Sequence, residues 1–368
     1  MRAFYIGVMS GTSMDGVDAA LCEFDGLIFR KLVATHTLQY EAALRERLLH
    51  LQRREPALTL REFVELDQGV AKTFSKAVQE LIAQAEVQPK QITAIGSHGQ
   101  TVFHDPLVLS SSLQLGNPSL ISAHSNIDTV ADFRRKDMAL GGHGAPLVPA
   151  FHEAIFGSRN EMRCAVNIGG IANITVLPCD EKPVRGFDTG PGNGLMDEWA
   201  ARHLQQSFDH NGEFAASGAL NQGLLDALLA EPYFALAPPK STGRGDFHLD
   251  WLEQRYPALA QLPPADVQRT LCELTARSIV DAIATQAPTT HRIIICGGGS
   301  KNGFLMQRLA ALSGKPVGVS DDYGLASGWV EAAAFAWLAM RTINKLPGNL
   351  PAVTGASAPT ILGGIFRA

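Results

Sequence analysis

Apolar residues run from Ala3 to Val8, give way to Ser10, Gly11, Thr12 and Ser13, and resume from Val17 to Phe24. Asp25-Gly26 interrupts them again before Leu27 to Ala34. Apolar runs rich in β formers and broken by such turns predict a β-meander. Tyr40 to Arg53 and Leu60 to Ala85 carry apolar residues at helical spacing, and Ile92 to Ser97 returns to a buried-strand pattern ending in Ser97-His98-Gly99-Gln100-Thr101. Leu113 to Leu115 and Ile127 to Val130 are short strand candidates, after which residues 132–146 read as loop.

The second half repeats the opening. Cys164 to Ile168, the turn Gly169-Gly170, Ile171 to Leu177 and Pro183 to Phe187 predict another meander. Gly186-Phe187-Asp188-Thr189-Gly190-Pro191-Gly192-Asn193 then opens a helix to about Leu204. Further helices are predicted at Asn221 to Ala230, Val267 to Gln286, Asn302 to Leu312 and Ser327 to Asn344, with a strand at Ile293 to Cys296. Two halves that each open with a hairpin and continue into alternating elements predict a duplicated α/β fold with ligands in the cleft between halves. The boundaries drawn are 1–130 plus 345–368 for the first domain and 131–344 for the second.

A chain of 368 residues exceeds one comfortable core, which supports two domains. Its net charge of -5 argues against general nucleic-acid binding. No apolar run reaches membrane-spanning length, and a strand that starts at the N-terminus leaves no room for a signal peptide, so a cytoplasmic protein is expected. Cys22, Cys164, Cys179, Cys272 and Cys296 are scattered with no C-x-x-C pair, which implies neither a zinc site nor a disulfide framework.

Three glycine turns follow strands: Gly11 to Gly16, Gly169-Gly170, and Gly297 with Gly298 and Gly299. Small residues let backbone N–H groups approach an anion, so together they read as a nucleotide site, although each alone is compatible with ordinary turn chemistry. Neither a Walker A motif nor a dinucleotide fingerprint occurs. Asp188 is the catalytic candidate, a carboxylate before a rigid polar turn that can take a proton from water or a hydroxyl; the competing role is an N-cap. His98 reads as a ligand contact or a structural histidine. Arg134, Arg135 and Lys136 read as a carboxylate site or a solvated loop. Pro239-Lys240-Ser241-Thr242-Gly243-Arg244 is an anion contact or a surface turn. Glu331 reaches the cleft or sits exposed in a first helical turn.

GVMSGTSMDGVD, SHGQTVFH, DFRRKD with GGHGAPLVP, NIGGIANIT, FDTGPGN, PKSTGR, CGGGSKN and WVEAAAFAW occur in this order and span nearly the whole chain. Together they resemble the anhydro-N-acetylmuramic acid kinase family of bacteria. The resemblance implies two duplicated ribonuclease H-like, actin-like ATPase domains around a central cleft, and a homodimer. It implies ATP-dependent, water-consuming conversion of 1,6-anhydro-N-acetylmuramic acid to N-acetylmuramic acid 6-phosphate, in peptidoglycan recycling. Gly11, Thr12, Ser13, Met14, Asp15, Gly16, Val17 and Asp18 match the ATP segment, Gly169-Gly170 the second phosphate turn, and Gly297 to Gly299 the adenosine side. Asp188 matches the catalytic aspartate, and Arg134, Gly190, Asn193 and Glu331 are assigned to substrate. Mg²⁺ is expected for phosphoryl transfer. Its ligands are left open, because Val8-Met9-Ser10-Gly11-Thr12 lacks the aspartate that many sugar kinases carry before their first phosphate turn. The alternatives are a conventional hexose or N-acetylhexosamine kinase of the same fold, and a non-catalytic ATP-dependent binding module. A metal-dependent hydrolase is disfavoured because no ligand cluster is spaced for it.

Overall fold

The computed structural model describes residues 2–368 apart from 12, 13, 15, 55, 56 and 244, with backbone only for 52–54. The chain packs as two compact units, Met1–Ile155 with Trp329–Ala368, and Phe156–Gly328. In the first unit, strands Arg2–Ser10 (β1), Val17–Asp25 (β2) and Ile28–Leu38 (β3) form the antiparallel meander that the apolar runs predict. Ile92–Asp105 (β4) lies parallel on β1, Ser111–Leu115 (β5) folds back antiparallel on β4, and Thr129–Ala131 (β6) continues the sheet in parallel. The C-terminal strand Gly364–Phe366 closes that edge against β6.

In the second unit, Arg163–Ile168 (β7), Ile171–Leu177 (β8) and Arg185–Pro191 (β9) form the second meander. Arg292–Cys296 (β10) lies parallel on β7, and Val317–Val319 (β11) parallel on β10. The sheet orders β3-β2-β1-β4-β6 and β9-β8-β7-β10-β11 share one topology, so the duplication is visible in the connectivity itself.

Each unit has its own core. Ile6, Val8, Leu21, Phe74 and Ile95 are buried together in the first, and Val166, Ile174, Leu271, Ile279 and Ile295 in the second. The helix Leu60–Gln84 starts at a capping box, Thr59 with Glu62, and buries Leu66, Val70, Phe74, Val78 and Leu81 along one face. The helix Val330–Ile343 is apolar nearly all round and packs on β1 and β4 of the first unit. Its approach depends on two glycines, since a Cβ on Gly7 would lie 1.8 Å from the Ala332 carbonyl oxygen and one on Gly96 2.0 Å from that of Phe335.

The divides between units fall after Ile155 and before Trp329, whereas loop composition placed them near 130 and 345. Residues 132–146 stay with the first unit because a buried carboxylate anchors them. Asp137 accepts hydrogen bonds from the Gly144 N–H at 2.8 Å, from Asn349 Nδ2 at 2.7 Å and from Thr354 Oγ1 at 2.7 Å. The last long helix belongs to the first unit because it covers the β1–β4 face. Among the described residues no helix is long and apolar enough to cross a membrane. All five cysteines are free thiols, and only Cys179 is exposed.

Candidate active site

In the second unit the sheet delivers Asp188 at the middle of β9, opposite Asn173 of β8. A long connection from outside the sheet surrounds it. The Asp188 N–H donates to the Lys240 carbonyl at 3.2 Å, and its own carbonyl accepts from Tyr233 Oη at 2.8 Å. The Thr242 N–H donates to carboxylate Oδ2 at 3.0 Å. Burial lifts the Asp188 carboxyl to about 6, and the Thr242 hydrogen bond opposes that rise. Such a carboxylate is ionised at neutral pH yet far more basic than an exposed aspartate, which suits a general base. The N-cap alternative does not describe this residue, because Asp188 lies inside a strand and the following helix, Gly194–Leu204, is preceded by Asn193.

The glycines after Asp188 lock that helix onto the β7–β8 turn. The Gly192 and Gly194 N–H groups donate to the Gly170 carbonyl at 3.0 and 3.1 Å, and the Asn193 N–H donates to that of Gly169 at 2.7 Å. A Cβ on Gly192 would lie 2.3 Å from the Gly169 carbonyl oxygen. Asn193 Nδ2 donates to the Ile168 carbonyl at 3.2 Å, and its side chain borders Gly298 and Gly299. Gly169, Gly170, Asn193 and Gly297 to Gly299 therefore meet at one place. Gly297 has φ +80, and its carbonyl accepts from Ser300 Oγ, which in turn accepts from Ser327 Oγ at 2.8 Å. Gly190 faces elsewhere: it has φ +145, and a Cβ there would meet Phe234 at 2.6 Å, so Phe234 covers this position.

In the first unit, the Gly11 carbonyl accepts from Gln100 Nε2 at 3.2 Å and from the Met14 N–H at 3.2 Å. Ser10 Oγ donates to the Gly16 carbonyl at 2.9 Å, and Arg45 Nε to that of Met14 at 2.9 Å. Met14 and Val17 are buried core side chains, so these two offer a nucleotide backbone only. Asp18 accepts from Thr37 Oγ1 at 2.6 Å, and burial raises its carboxyl above the usual range. Thr12, Ser13 and Asp15 of the same segment, and Arg244 of the Pro239 loop, lie outside the described residues.

The basic cluster resolves into two unlike arginines. Arg135 is exposed and paired with Asp132 at 2.8 Å. Arg134 turns inward: its Nη2 and Nε donate to His98 Nε2 at 2.8 and 3.2 Å, and its Nη1 to the Gly144 carbonyl at 2.7 Å. Burial lowers the guanidinium to about 10, against the neighbouring Glu331 and Asp137 carboxylates that support its charge. His98 packs on Phe335, 4.6 Å between rings, and burial beside Arg134 holds it neutral with its pKa well below the usual histidine range. Arg134, His98 and Glu331 are thus one cluster. Tyr233 as a partner of Asp188 went unseen in the sequence, because nothing at residue 233 marks it as a neighbour of residue 188.

Among the described residues, no group of three or more His, Cys, Asp or Glu side chains is placed to hold a metal. Mg²⁺ takes one or two carboxylates and keeps several waters, so phosphates can complete its shell. Asp18 is committed to Thr37, and the donor set singles out no ligand.

The family model for anhydro-N-acetylmuramic acid kinase matches residues 3–368. A protein of that name from Xanthomonas axonopodis pv. citri (strain 306) is 50% identical over 368 residues, covering 99% of this chain and 98% of that one. Another, from Shewanella pealeana (strain ATCC 700345 / ANG-SQ1), is 49% identical over 369 residues, covering 99% of each chain. Among solved structures, the activator of the 2-hydroxyisocaproyl-CoA dehydratase from Clostridium difficile with bound ADPNP is similar over 93% of this chain and 96% of that chain, at 10% identity and a TM-score of 0.49.

Proposed function

This chain belongs to the anhydro-N-acetylmuramic acid kinase family, and on that premise we propose how its residues carry the reaction. The protein is an ATP-dependent kinase that opens 1,6-anhydro-N-acetylmuramic acid and phosphorylates its 6-oxygen, releasing ADP, in peptidoglycan recycling.

The substrate is an internal acetal, so opening it resembles inverting glycoside hydrolysis: a base activates water at C1 while the leaving oxygen is stabilised. Asp188 is the base. It takes a proton from water as the C1–oxygen bond forms and the C1–O6 bond breaks. O6 then bonds to the γ-phosphorus as the bridging phosphoanhydride bond breaks and ADP leaves. The phosphoryl group takes the place of the proton that a second carboxylic acid would supply, so one carboxylate suffices. The observation that carries this reading is a β9 aspartate lifted to about 6, its carboxylate tied to the Thr242 N–H.

Arg134 binds the lactyl carboxylate. Its inward, charged guanidinium is oriented by His98 and Gly144, and guanidinium geometry matches a carboxylate. Glu331, beside it, contacts a sugar polar group, and Asn193 holds the adjacent glycine turns in register. Gly11, Gly16 and Gly170 receive ATP phosphates through backbone N–H groups, Gly169 shapes its turn with its N–H on the Ile171 carbonyl, and Gly297 to Gly299 lie beside the adenosine. Mg²⁺, when bound with ATP, neutralises charge on the transferring phosphoryl group. A homodimer and a cytoplasmic location complete the proposal, supported by family resemblance alone.

The test of Asp188 is product analysis of Asp188→Asn. Loss of both ring opening and phosphorylation is expected. Retained ring opening without phosphate transfer would defeat the coupled mechanism.

A further inference from the structure

The loop that reaches Asp188 from outside the sheet is itself braced at one point. Thr242 Oγ1 donates to Asp246 Oδ2 at 2.7 Å, and the Gly243 N–H donates to the same oxygen at 3.3 Å. The Asp246 N–H returns to the Gly243 carbonyl at 3.1 Å, closing the turn. Two hydrogen bonds on one carboxylate oxygen thus hold Thr242 by its side chain and its following peptide, and the Thr242 N–H donates to Asp188 Oδ2. The other end of the loop is held separately, through the Lys240 carbonyl and through Lys240 Nζ on the Tyr233 and Phe234 carbonyls at 3.1 and 3.3 Å.

We propose that Asp246 is a positioning residue for the reaction: by holding Thr242 it aims the Thr242 N–H at Asp188 and so sets the strength of the base. The proposal rests on the reading of Asp188 as the water-activating base. An N–H donor favours the ionised carboxylate, so releasing it leaves burial unopposed and makes Asp188 a weaker acid. The ionisable groups that face Asp188 are Tyr233, Lys240 and, across the loop, Asp246; Arg244 lies outside the described residues. Tyr233 and Lys240 bond to backbone or lie on one another, with Lys240 Nζ 4.6 Å from the Tyr233 ring centroid.

Geometry and charge predict opposite signs, which makes the proposal testable. Asp246→Ala removes the brace and a negative charge; Asp246→Asn removes the charge but keeps an acceptor; Thr242→Val removes the brace and keeps the charge. The positioning role predicts that Thr242→Val and Asp246→Ala move the acid limb of kcat/KM upward by about one pH unit, with activity above pH 8 retained, while Asp246→Asn stays near wild type. A purely electrostatic role predicts that both Asp246 variants move it downward and that Thr242→Val leaves it in place; that pattern would overturn the proposal. The residues are on an exposed or half-exposed loop, so the variants keep the sheet core. Titration of the Asp188 carboxyl by carbon NMR in wild type and Thr242→Val reads the same shift without turnover. An unmoved titration refutes the positioning role, whereas an active Asp188→Asn with a moved titration refutes the base assignment alone.

Discussion

Asp188→Asn separates what the aspartate does for the reaction from what it costs the fold. Folded, the carboxyl titrates near 6; its ordinary value is 3.8. Below 3.8 it is protonated in folded and unfolded chains alike. As pH rises from 3.8 through 6 the unfolded chain releases its proton first, so the native state loses stability over that window and carries the full penalty above it. At about 1.36 kcal/mol per unit of acidity the penalty is about 3 kcal/mol, and about 2 kcal/mol once solvent at the half-buried carboxylate is allowed for. Asparagine keeps an oxygen to accept the Thr242 N–H and has no charge to desolvate. Urea denaturation at pH 4 and pH 7.5 is the assay. The variant is expected to match wild type at pH 4, to exceed it by about 2 kcal/mol at pH 7.5, and to lose about 10²–10⁴-fold in turnover. A stability difference that does not change between the two pH values would refute the assignment of this burial cost to Asp188. The same reasoning predicts that wild-type kcat/KM falls as pH drops through about 6.

Two further expectations follow from the first unit. Arg134→Lys removes the fork that His98 and Gly144 orient; KM for the carboxylate-bearing sugar should rise roughly 10–100-fold with kcat little changed, and discrimination against an anhydro sugar lacking the lactyl group should collapse. An unchanged KM would place the carboxylate elsewhere. Gly96→Ala forces a Cβ against the Phe335 carbonyl oxygen, 2.0 Å away in the present packing. It should cost about 3 kcal/mol and lower the melting temperature by roughly 6–12 °C; a wild-type thermal scan would show that the helix shifts freely on β4.

Both meanders were legible because β1, β2, β7 and β8 are largely apolar and Ser10-Gly11, Asp25-Gly26 and Gly169-Gly170 punctuate the turns; β9, RGFDTGP, was read only to Phe187 because its second half is polar and glycine-rich. The amphipathic helix Leu60–Gln84 was legible from its helical apolar spacing, whereas the capping box of Thr59 with Glu62 was not read. The strand Val317–Val319, the helix Val148–Phe156 and the C-terminal strand were not read, since three or nine residues with no distinctive period carry too little pattern. β4 extends to Asp105, beyond the predicted Ser97, because β5 pairs with a polar stretch whose residues alone do not favour a strand.

At the site, strand-end and turn context singled out Asp188 and the glycine turns, and the family resemblance alone favoured catalysis over an N-cap for Asp188. Local context did not distinguish Arg134 from Arg135, because the difference is made by His98, 36 residues upstream of Arg134, and by the buried Asp137 anchoring the loop. Nor did it join Tyr233 and Thr242 to residue 188, since each contact pairs a side-chain atom with a backbone atom across more than forty residues. Gly190 was assigned to substrate from its motif, and the structure shows Phe234 packed over it.

The most direct test of the coupled reaction is ADP release by the purified protein with ATP and Mg²⁺, comparing 1,6-anhydro-N-acetylmuramic acid, N-acetylmuramic acid, N-acetylglucosamine and no sugar. Turnover with the anhydro sugar alone, one ADP per sugar phosphate formed, is the result expected of Asp188 activating water. Equal turnover with an open-ring sugar would contradict it, making the protein a conventional sugar kinase whose aspartate deprotonates a hydroxyl.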